Sequence, residues 1–306
     1  MDKTAIIYCP THRPFTSPLK RWRKIAAVLD KYNVEYDMVQ SEERQSVERL
    51  VMMMLNNGYK TIVIAGGDSA LNDAVNCLMR VEKNVRDSVV LGVIPNGIMN
   101  DFALFWGYSY DDLETSIKSI AQRRIRRIDV GCVRYTDKNA ESKQQYFLNC
   151  VNIGLLARIQ KLRQDTRRVL WSRTISFAIS LILMLLHKTD YKVSYVVDRQ
   201  KEEHRVMNVC ISKAHGYGMT PNATPYSGLL DMTVVRSSVW TQFFEAIELY
   251  LRGKLLNHKR VRPYRATEIS VKPIGKIPVC VDGHPLASVV GSFMVSVDKE
   301  EIQFVV

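Results

Sequence analysis

The chain carries 306 residues, a formal net charge of +12 and 46% hydrophobic residues, a length that suits two modest domains or one large one. It has no low-complexity tract, internal repeat or signal-peptide layout, and its six cysteines (Cys9, Cys77, Cys132, Cys150, Cys210 and Cys280) lack metal-ligand spacing; they read as reduced core residues of a cytoplasmic protein. The positive charge asks for an anionic partner, whether a membrane surface, a nucleic acid or a phosphorylated ligand, and with no base-reading motif beside it, nucleic acid is not expected.

Thr4 to Cys9 reads as a buried strand, followed by the polar turn Pro10-Thr11-His12-Arg13. Leu19 to Tyr32 reads as an amphipathic helix, and its cluster Lys20-Arg21-Trp22-Arg23-Lys24 as a solvated face. Val34 to Val39 is a second strand, and Ser41 then precedes a helix over Glu43 to Leu55, where serine is a routine N-cap. Thr61 to Ala65 is an apolar, β-branched run that reads as a fully buried strand. It turns through Gly66-Gly67-Asp68-Ser69-Ala70-Leu71-Asn72 into a helix. Unpaired N–H groups at such a helix start carry partial positive charge and make a natural phosphate seat. Gly66 and Gly67, without a Cβ, would let backbone approach a ligand. Asp68 has two candidate roles, N-cap of the helix or carboxylate beside a phosphate-bound Mg²⁺.

Val89 to Ile94 is another buried strand, running into Pro95-Asn96-Gly97-Ile98-Met99-Asn100-Asp101-Phe102. Two polar, glycine-bearing strand ends about one βα unit apart mark the place where a doubly wound sheet binds ligands. The alternation of strands and helices up to here predicts a mostly parallel sheet with helices on both faces. After Asp111 a helix through Ile117 and Ile120 leads to Arg123-Arg124-Ile125-Arg126-Arg127, and strand signals dominate beyond Asp129-Val130-Gly131. Tyr146–Gly154, Val206–Ile211, Leu230–Val235 and Ile269–Lys272 are β-rich, and Gly291–Val306 reads as a closing strand pair. Together they predict a mostly antiparallel, β-rich second domain. The apolar run Ile175–Leu186 falls short of the roughly 20 residues a membrane span needs and reads as a buried helix; the arginines from Arg158 to Arg173 suit anionic headgroups.

Gly-Gly-Asp-x-x-Leu-Asn followed by Pro-x-Gly-x-x-Asn-Asp-Phe-Ala resembles the diacylglycerol kinase catalytic superfamily, which includes bacterial lipid kinases and sphingosine kinases, with NAD kinases as more distant relatives. The resemblance implies a nucleotide-binding α/β domain over residues 1–130 and a β-rich lipid-acceptor domain over 131–306, whose last residues would pack back on the first. It implies ATP as substrate with Mg²⁺, held by Thr11, Ser41, Gly66, Gly67, Asp68, Ser69, Ala70, Leu71, Asn72, Gly97, Asn100 and Asp101. Asp68 would act through the metal or directly. Val279-Cys-Val-Asp-Gly-His-Pro-Leu286 is similar to the family's Asp-Gly-Glu-Pro-Leu, so Asp282 or His284 would take the acceptor proton. Asp282-Gly283 is equally a β-turn signal. A structural Mg²⁺ of the family maps to Thr224, Ser227 and Leu229. A serine hydroxyl is a poorer ligand than the family's carboxylate, so this site is not expected to survive.

Departures accompany the match: Ser69 and Ala70 replace Gly-Thr, Ile98 replaces Thr, Leu104 replaces Arg, and His284 replaces Glu. Three readings follow. The first is an ATP-dependent lipid kinase, a phosphotransferase with an alcohol acceptor such as diacylglycerol or a sphingoid lipid. The second is a catalytically weak relative that binds lipid or nucleotide and regulates a partner, and the third a kinase for another small acceptor. The implied partners are a lipid at a membrane surface and anionic headgroups met by the basic clusters, with a homodimer left open. The implied localisation is cytoplasmic and peripherally membrane-associated.

Overall fold

The structure, a computed structural model, describes residues 3–11, 17–42, 46–97, 100–166, 190–286 and 290–306. His12, Arg13, Ile98, Arg167, Arg168, Arg173 and the run Ile175–Leu186 lie outside the described residues. The chain divides into two compact units, Met1–Val130 with Lys299–Val306, and Gly131–Asp298.

The first unit alternates β1 (Thr4–Tyr8), α1 (Pro18–Lys31), β2 (Tyr36–Gln40), α2 (Ser46–Asn56), β3 (Thr61–Gly66), α3 (Asp68–Arg80), the short α4 (Lys83–Asp87), β4 (Val90–Pro95), the short α5 (Asp101–Phe105) and α6 (Leu113–Ala121). The strands form a parallel sheet in the order β2-β1-β3-β4, and residues 303–304 of the chain's final strand extend it beside β4. β1, β3 and β4 are buried along their whole length, as continuous apolar runs in a sheet covered on both faces should be. Helix α1 starts cleanly because Ser17 Oγ accepts the Lys20 N–H at 3.2 Å and Pro18 sits in the first turn. Its inward stripe is Arg21, Ile25 and Leu29, and this corrects the reading of the Lys20–Lys24 cluster. Lys20, Arg23 and Lys24 are exposed, but Arg21 is only 6% exposed. Its guanidinium stacks on the Tyr110 ring and donates to the Pro95 and Tyr110 carbonyls.

The second unit is built from β5 (Ile125–Thr136, entering from the first), β6 (Ser142–Phe147), β7 (Cys150–Gly154), α7 (Leu155–Thr166), β8 (Tyr191–Val197), β9 (Gln200–Ser212), β10 (Leu230–Arg236), α8 (Trp240–Leu251), β11 (Val261–Ala266), β12 (Glu268–Ile274), β13 (Val279–Val281), β14 (His284–Pro285) and β15 (Val290–Val305). The ladders β5–β6, β7–β9, β7–β13, β8–β9, β8–β12, β9–β10, β10–β11 and β12–β15 are all antiparallel. β9 divides its length: Gln200–Arg205 pairs with β8 near the surface, while Val206–Ser212 lies buried between β7 and β10. The core gathers Val151, Ile153, Tyr195, Val209, Met232, Val271 and Phe293. Gly131 is required opposite Phe147, because a Cβ there would come within 2.1 Å of the ring.

Two expectations change here. Tyr146–Gly154, read as one strand, is two, broken at Leu148 and Asn149 where a carboxylate captures the backbone N–H groups. Gly291–Val306 is one long strand rather than a pair; Glu300 adopts φ 52° within it, and its N–H donates to buried Asp129. The two-residue turn Asp198-Arg199 joining β8 and β9 has positive φ at both positions without a glycine, which is why the hairpin left no turn signal.

Candidate active site

The site in the first unit is built where the carboxyl ends of β1, β3 and β4 meet. Gly66 and Pro95 are register partners, and the Asn96 N–H donates to the Gly66 carbonyl at 2.9 Å. The Asn96 amide crosses to β1, donating to the Cys9 carbonyl at 2.9 Å, while its oxygen accepts from Arg21 Nε at 3.3 Å. One residue, through its backbone and its side chain, thus ties three strand ends together. Gly66 earned its place differently from the expectation. A Cβ there would press on the Ala70, Ile64 and Cys9 side chains at 3.0–3.3 Å, so the glycine serves close packing of β3 on the start of α3. Gly67 is the N-cap of α3 with φ −104°, a conformation open to any residue.

Asp68 is therefore not the N-cap. It stands in the first turn of α3, 7% exposed, and its carboxylate reaches over to the next strand's turn. Oδ2 accepts the Asp101 N–H at 2.8 Å and Oδ1 the Phe102 N–H at 3.1 Å. Those are N–H groups of the first turn of α5, which no intrahelical carbonyl can reach. The turn before α5 closes reciprocally, with the Gly97 N–H on Asn100 Oδ1 at 2.9 Å and the Asn100 amide on the Gly97 carbonyl at 3.0 Å. Gly66, Gly67, Asp68, Gly97, Asn100 and Asp101 are brought together in this way. Asn72 is buried one turn along α3, its oxygen held by the Asn76 amide at 3.0 Å. Leu71 is buried in the core, Ser69 is exposed and Ala70 half-buried. Ser41, at the end of β2, is buried and 2.6 Å from Ser46 Oγ; Thr11 is half-buried past the end of β1. Cys9 has its thiol pushed up to about 12 by burial, so it is no nucleophile at neutral pH.

In the second unit Asp282 is 2% exposed. Its Oδ2 accepts the Leu148 N–H at 2.8 Å, its Oδ1 the Cys150 N–H at 2.7 Å, and both oxygens share the Asn149 N–H at 3.1 and 3.3 Å. A carboxylate gripped by three backbone N–H groups is held as an anion and fixes the break between β6 and β7. The turn reading also stands: Asp282 and Gly283 both have positive φ and join β13 to β14. His284, half-buried, follows on β14.

Thr224, Ser227 and Leu229 do come together, but around a different cation. The Lys213 Nζ donates to the Leu229 carbonyl at 2.7 Å and lies 3.4 Å from Ser227 Oγ. Among the described residues no group of three or more His, Cys, Asp or Glu is placed to hold a metal. A lysine rather than a carboxylate faces the oxygens of this loop, and that donor set does not fit Mg²⁺. The first-unit site fits better, since a Mg²⁺ carried on phosphates needs only one or two protein carboxylates. The Asp68 carboxylate lies there, one hydrogen bond from the Asp101 backbone N–H.

This geometry meets its counterparts among known proteins. The diacylglycerol kinase catalytic domain family matches residues 16–133, and the YegS C-terminal NAD kinase beta sandwich-like domain family matches residues 149–301. The chain belongs to this two-domain diacylglycerol kinase family. It is 24% identical to the diacylglycerol kinase of Bacillus subtilis (strain 168) over 77% of this chain and 75% of that one. It is also 24% identical to the diacylglycerol kinase of Staphylococcus saprophyticus, over 87% and 84%. A diacylglycerol kinase crystal structure from Bacillus anthracis str. Sterne superposes with a TM-score of 0.69 at 17% identity, covering 99% and 96%. Yeast NADH kinase complexed with NADH superposes with a TM-score of 0.54 at 10% identity, covering 99% and 82%. The likeness to the two structures fixes the fold.

Sequence reasoning missed Asn96, Arg21 and Lys213. Asn96 stood inside the quoted motif as an unspecified position between proline and glycine. Arg21 had one available signal, its i, i+4, i+8 spacing with Ile25 and Leu29. Lys213 had none, because a lysine after a strand reads as solvated.

Proposed function

We propose that the chain transfers the γ-phosphoryl group of ATP to the hydroxyl of a lipid, diacylglycerol or a sphingoid-type base. The observation that carries this reading is the Asp68 bridge. It joins the first turn of the 13-residue helix α3 to the turn at the end of β4, setting backbone N–H groups and a carboxylate at one sheet edge. Phosphoryl transfer is mostly positioning and charge neutralisation, which such an edge can supply. Gly66 to Ala70 would hold phosphates, Asn72, Asn100 and Asp101 would shape the seat, and Ser41 and Thr11 would border the nucleotide. Mg²⁺ on the phosphates, near Asp68 and Asp101, would neutralise their charge. The acceptor oxygen bonds to the γ-phosphorus as the bond to the β-phosphate oxygen breaks, ADP leaves, and the hydroxyl proton passes to a base. His284 suits that task at neutral pH better than Asp282, whose carboxylate grips three N–H groups.

A lipid acceptor lies in a membrane, and α8 supports a surface role. Trp240, Phe244 and Leu251 are exposed along one stripe, with half-buried Ile247 between them. Arg252, Lys254 and Lys259, all exposed, follow at its end. Aromatic and aliphatic side chains beside cations suit the interface of an anionic bilayer. No helix among the described residues is long and apolar enough to cross it.

One observation favours the weaker relative. Leu104 is 53% exposed where the family has an arginine, and exposed Ser69 replaces a glycine. Incubation of the purified protein with γ-labelled ATP, Mg²⁺ and mixed micelles of diacylglycerols and sphingoid bases tests the proposal. Label in the organic phase is expected. No labelled lipid, together with a thermal shift on adding Mg²⁺-ATP, would replace it with a binding relative.

A further inference from the structure

We propose that Lys213 is the resident cation of the Thr224–Leu229 loop, so that this chain closes by an internal ammonium the loop that its family resemblance assigns to a divalent metal. Lys213 has no exposed surface. Burying an ammonium is costly unless oxygens replace its water, and an ammonium has three donors and no acceptor. Here the Leu229 carbonyl accepts at 2.7 Å and Ser227 Oγ lies at 3.4 Å. Ser227 Oγ in turn lies 3.1 Å from the Thr224 carbonyl and 3.2 Å from that of Leu229. Two loop oxygens thus face the lysine tip, at the longer distances of N–H···O bonds rather than the ~2.1 Å of Mg²⁺ coordination. A divalent ion brought to the same carbonyls would also face the ammonium as a like charge at close range.

The lysine also connects the loop to the Asp282 grip. It directly follows the buried half of β9, and its N–H donates to the Asn149 carbonyl at 2.9 Å. The Asn149 N–H is held by Asp282, and Asn149 Oδ1 accepts the Gly216 N–H at 3.0 Å. One residue therefore reaches from the β6–β7 break to the loop over residues 222–231. Arg265 steadies the outer side of that loop through the Asn222 carbonyl and the Asp231 carboxylate. On this proposal the chain's own hydrogen bonds order the loop without Mg²⁺.

This inference stands apart from the phosphoryl-transfer reading, and its test reads structure rather than turnover. Thermal unfolding of the full chain with EDTA and with millimolar Mg²⁺, without nucleotide, should give the same Tm. A Tm that falls with EDTA and returns with Mg²⁺ would overturn the proposal. Lys213→Met should lower Tm by roughly 5 °C or more and open the loop to limited proteolysis; parental Tm and protection would overturn it. Ser227→Asp, which leaves Lys213 in place, should fold without any Mg²⁺-dependent shift, the new carboxylate pairing with the lysine. The double variant Lys213→Met/Ser227→Asp should acquire a Mg²⁺-dependent rise in Tm. A Mg²⁺ response in Ser227→Asp alone would show the lysine not to occupy the seat, and would sink the idea even if Lys213→Met fails to fold.

Discussion

Asp68 in the first unit and Asp282 in the second are buried aspartates that each grip successive backbone N–H groups of a distant turn, and the two do so for different ends. Asp68 reaches from the start of α3 to the start of α5 with one N–H on each oxygen. Asp282 reaches from a hairpin turn to three successive N–H groups, and both its oxygens share the middle one. The surroundings differ accordingly. Asp68 stands among helix first turns and polar turns beside the exposed Ser69. Asp282 lies beneath a sheet edge beside Cys280, whose thiol is pushed up to about 12 by burial and by the neighbouring carboxylate. The same chemistry joins two strand-end turns in one unit and fixes a chain break in the other, so a motif aspartate need not be a proton acceptor.

That contrast can be broken most sharply by removing each carboxylate. Asp282→Ala leaves three buried N–H groups without their acceptor and should destabilise the second unit by about 3–6 kcal/mol, at ~1–2 kcal/mol for each; calorimetry would read it. A folded variant with parental stability would return Asp282 to a purely chemical role. Asp68→Asn keeps the shape but turns its amide NH₂ toward one of the two backbone N–H groups, so it should cost about 1–3 kcal/mol and still fold. Under the proposed function it should lower lipid phosphorylation by about 10²–10³-fold. Undiminished turnover in the lipid assay would make Asp68 a second structural clamp.

Smaller changes sharpen the same comparison. Ser69→Gly with Ala70→Thr should restore a flexible turn and a hydroxyl at the α3 start, tightening ATP binding by about 3–10-fold in isothermal titration. No change would mean the edge serves another anion. Glu202, on the β8–β9 hairpin, is a control carboxylate outside both sites. Its hydrogen bond with His204 at 2.8 Å, aided by Tyr264 and Tyr195 and opposed by burial, holds it below the usual carboxylate range. A group with a lowered folded pKa stabilises above its unfolded value and loses that contribution as pH falls. Glu202→Gln should therefore cost about 1 kcal/mol at pH 7, a gap that closes as pH drops below about 4.

Local pattern made much of this legible. The β-branched runs ending in Gly66 and Pro95 announced the buried parallel strands, and Asp282-Gly283 announced a two-residue turn. The family motifs fall at the ends of β3 and β4, which the fold sets side by side. Less legible was what each polar residue touches. Asp68 offered itself as a cap for its own helix and instead caps α5, 33 positions away in sequence. Arg21 sat inside a run of basic residues and faces inward. The Tyr146–Gly154 stretch looked continuous and is broken by a side chain more than 130 positions away.

The sequence by itself determined the order of strands and helices, the β-rich second half and the turns at the carboxyl ends of β3 and β4, because periodicity, glycine and proline act on near neighbours. Only the tertiary structure decided which carboxylate holds which backbone, and that a lysine fills the loop over residues 224–229. Hydrogen-bond partners far apart along the chain leave no periodic trace, and a lysine reads as solvated until the fold removes its water.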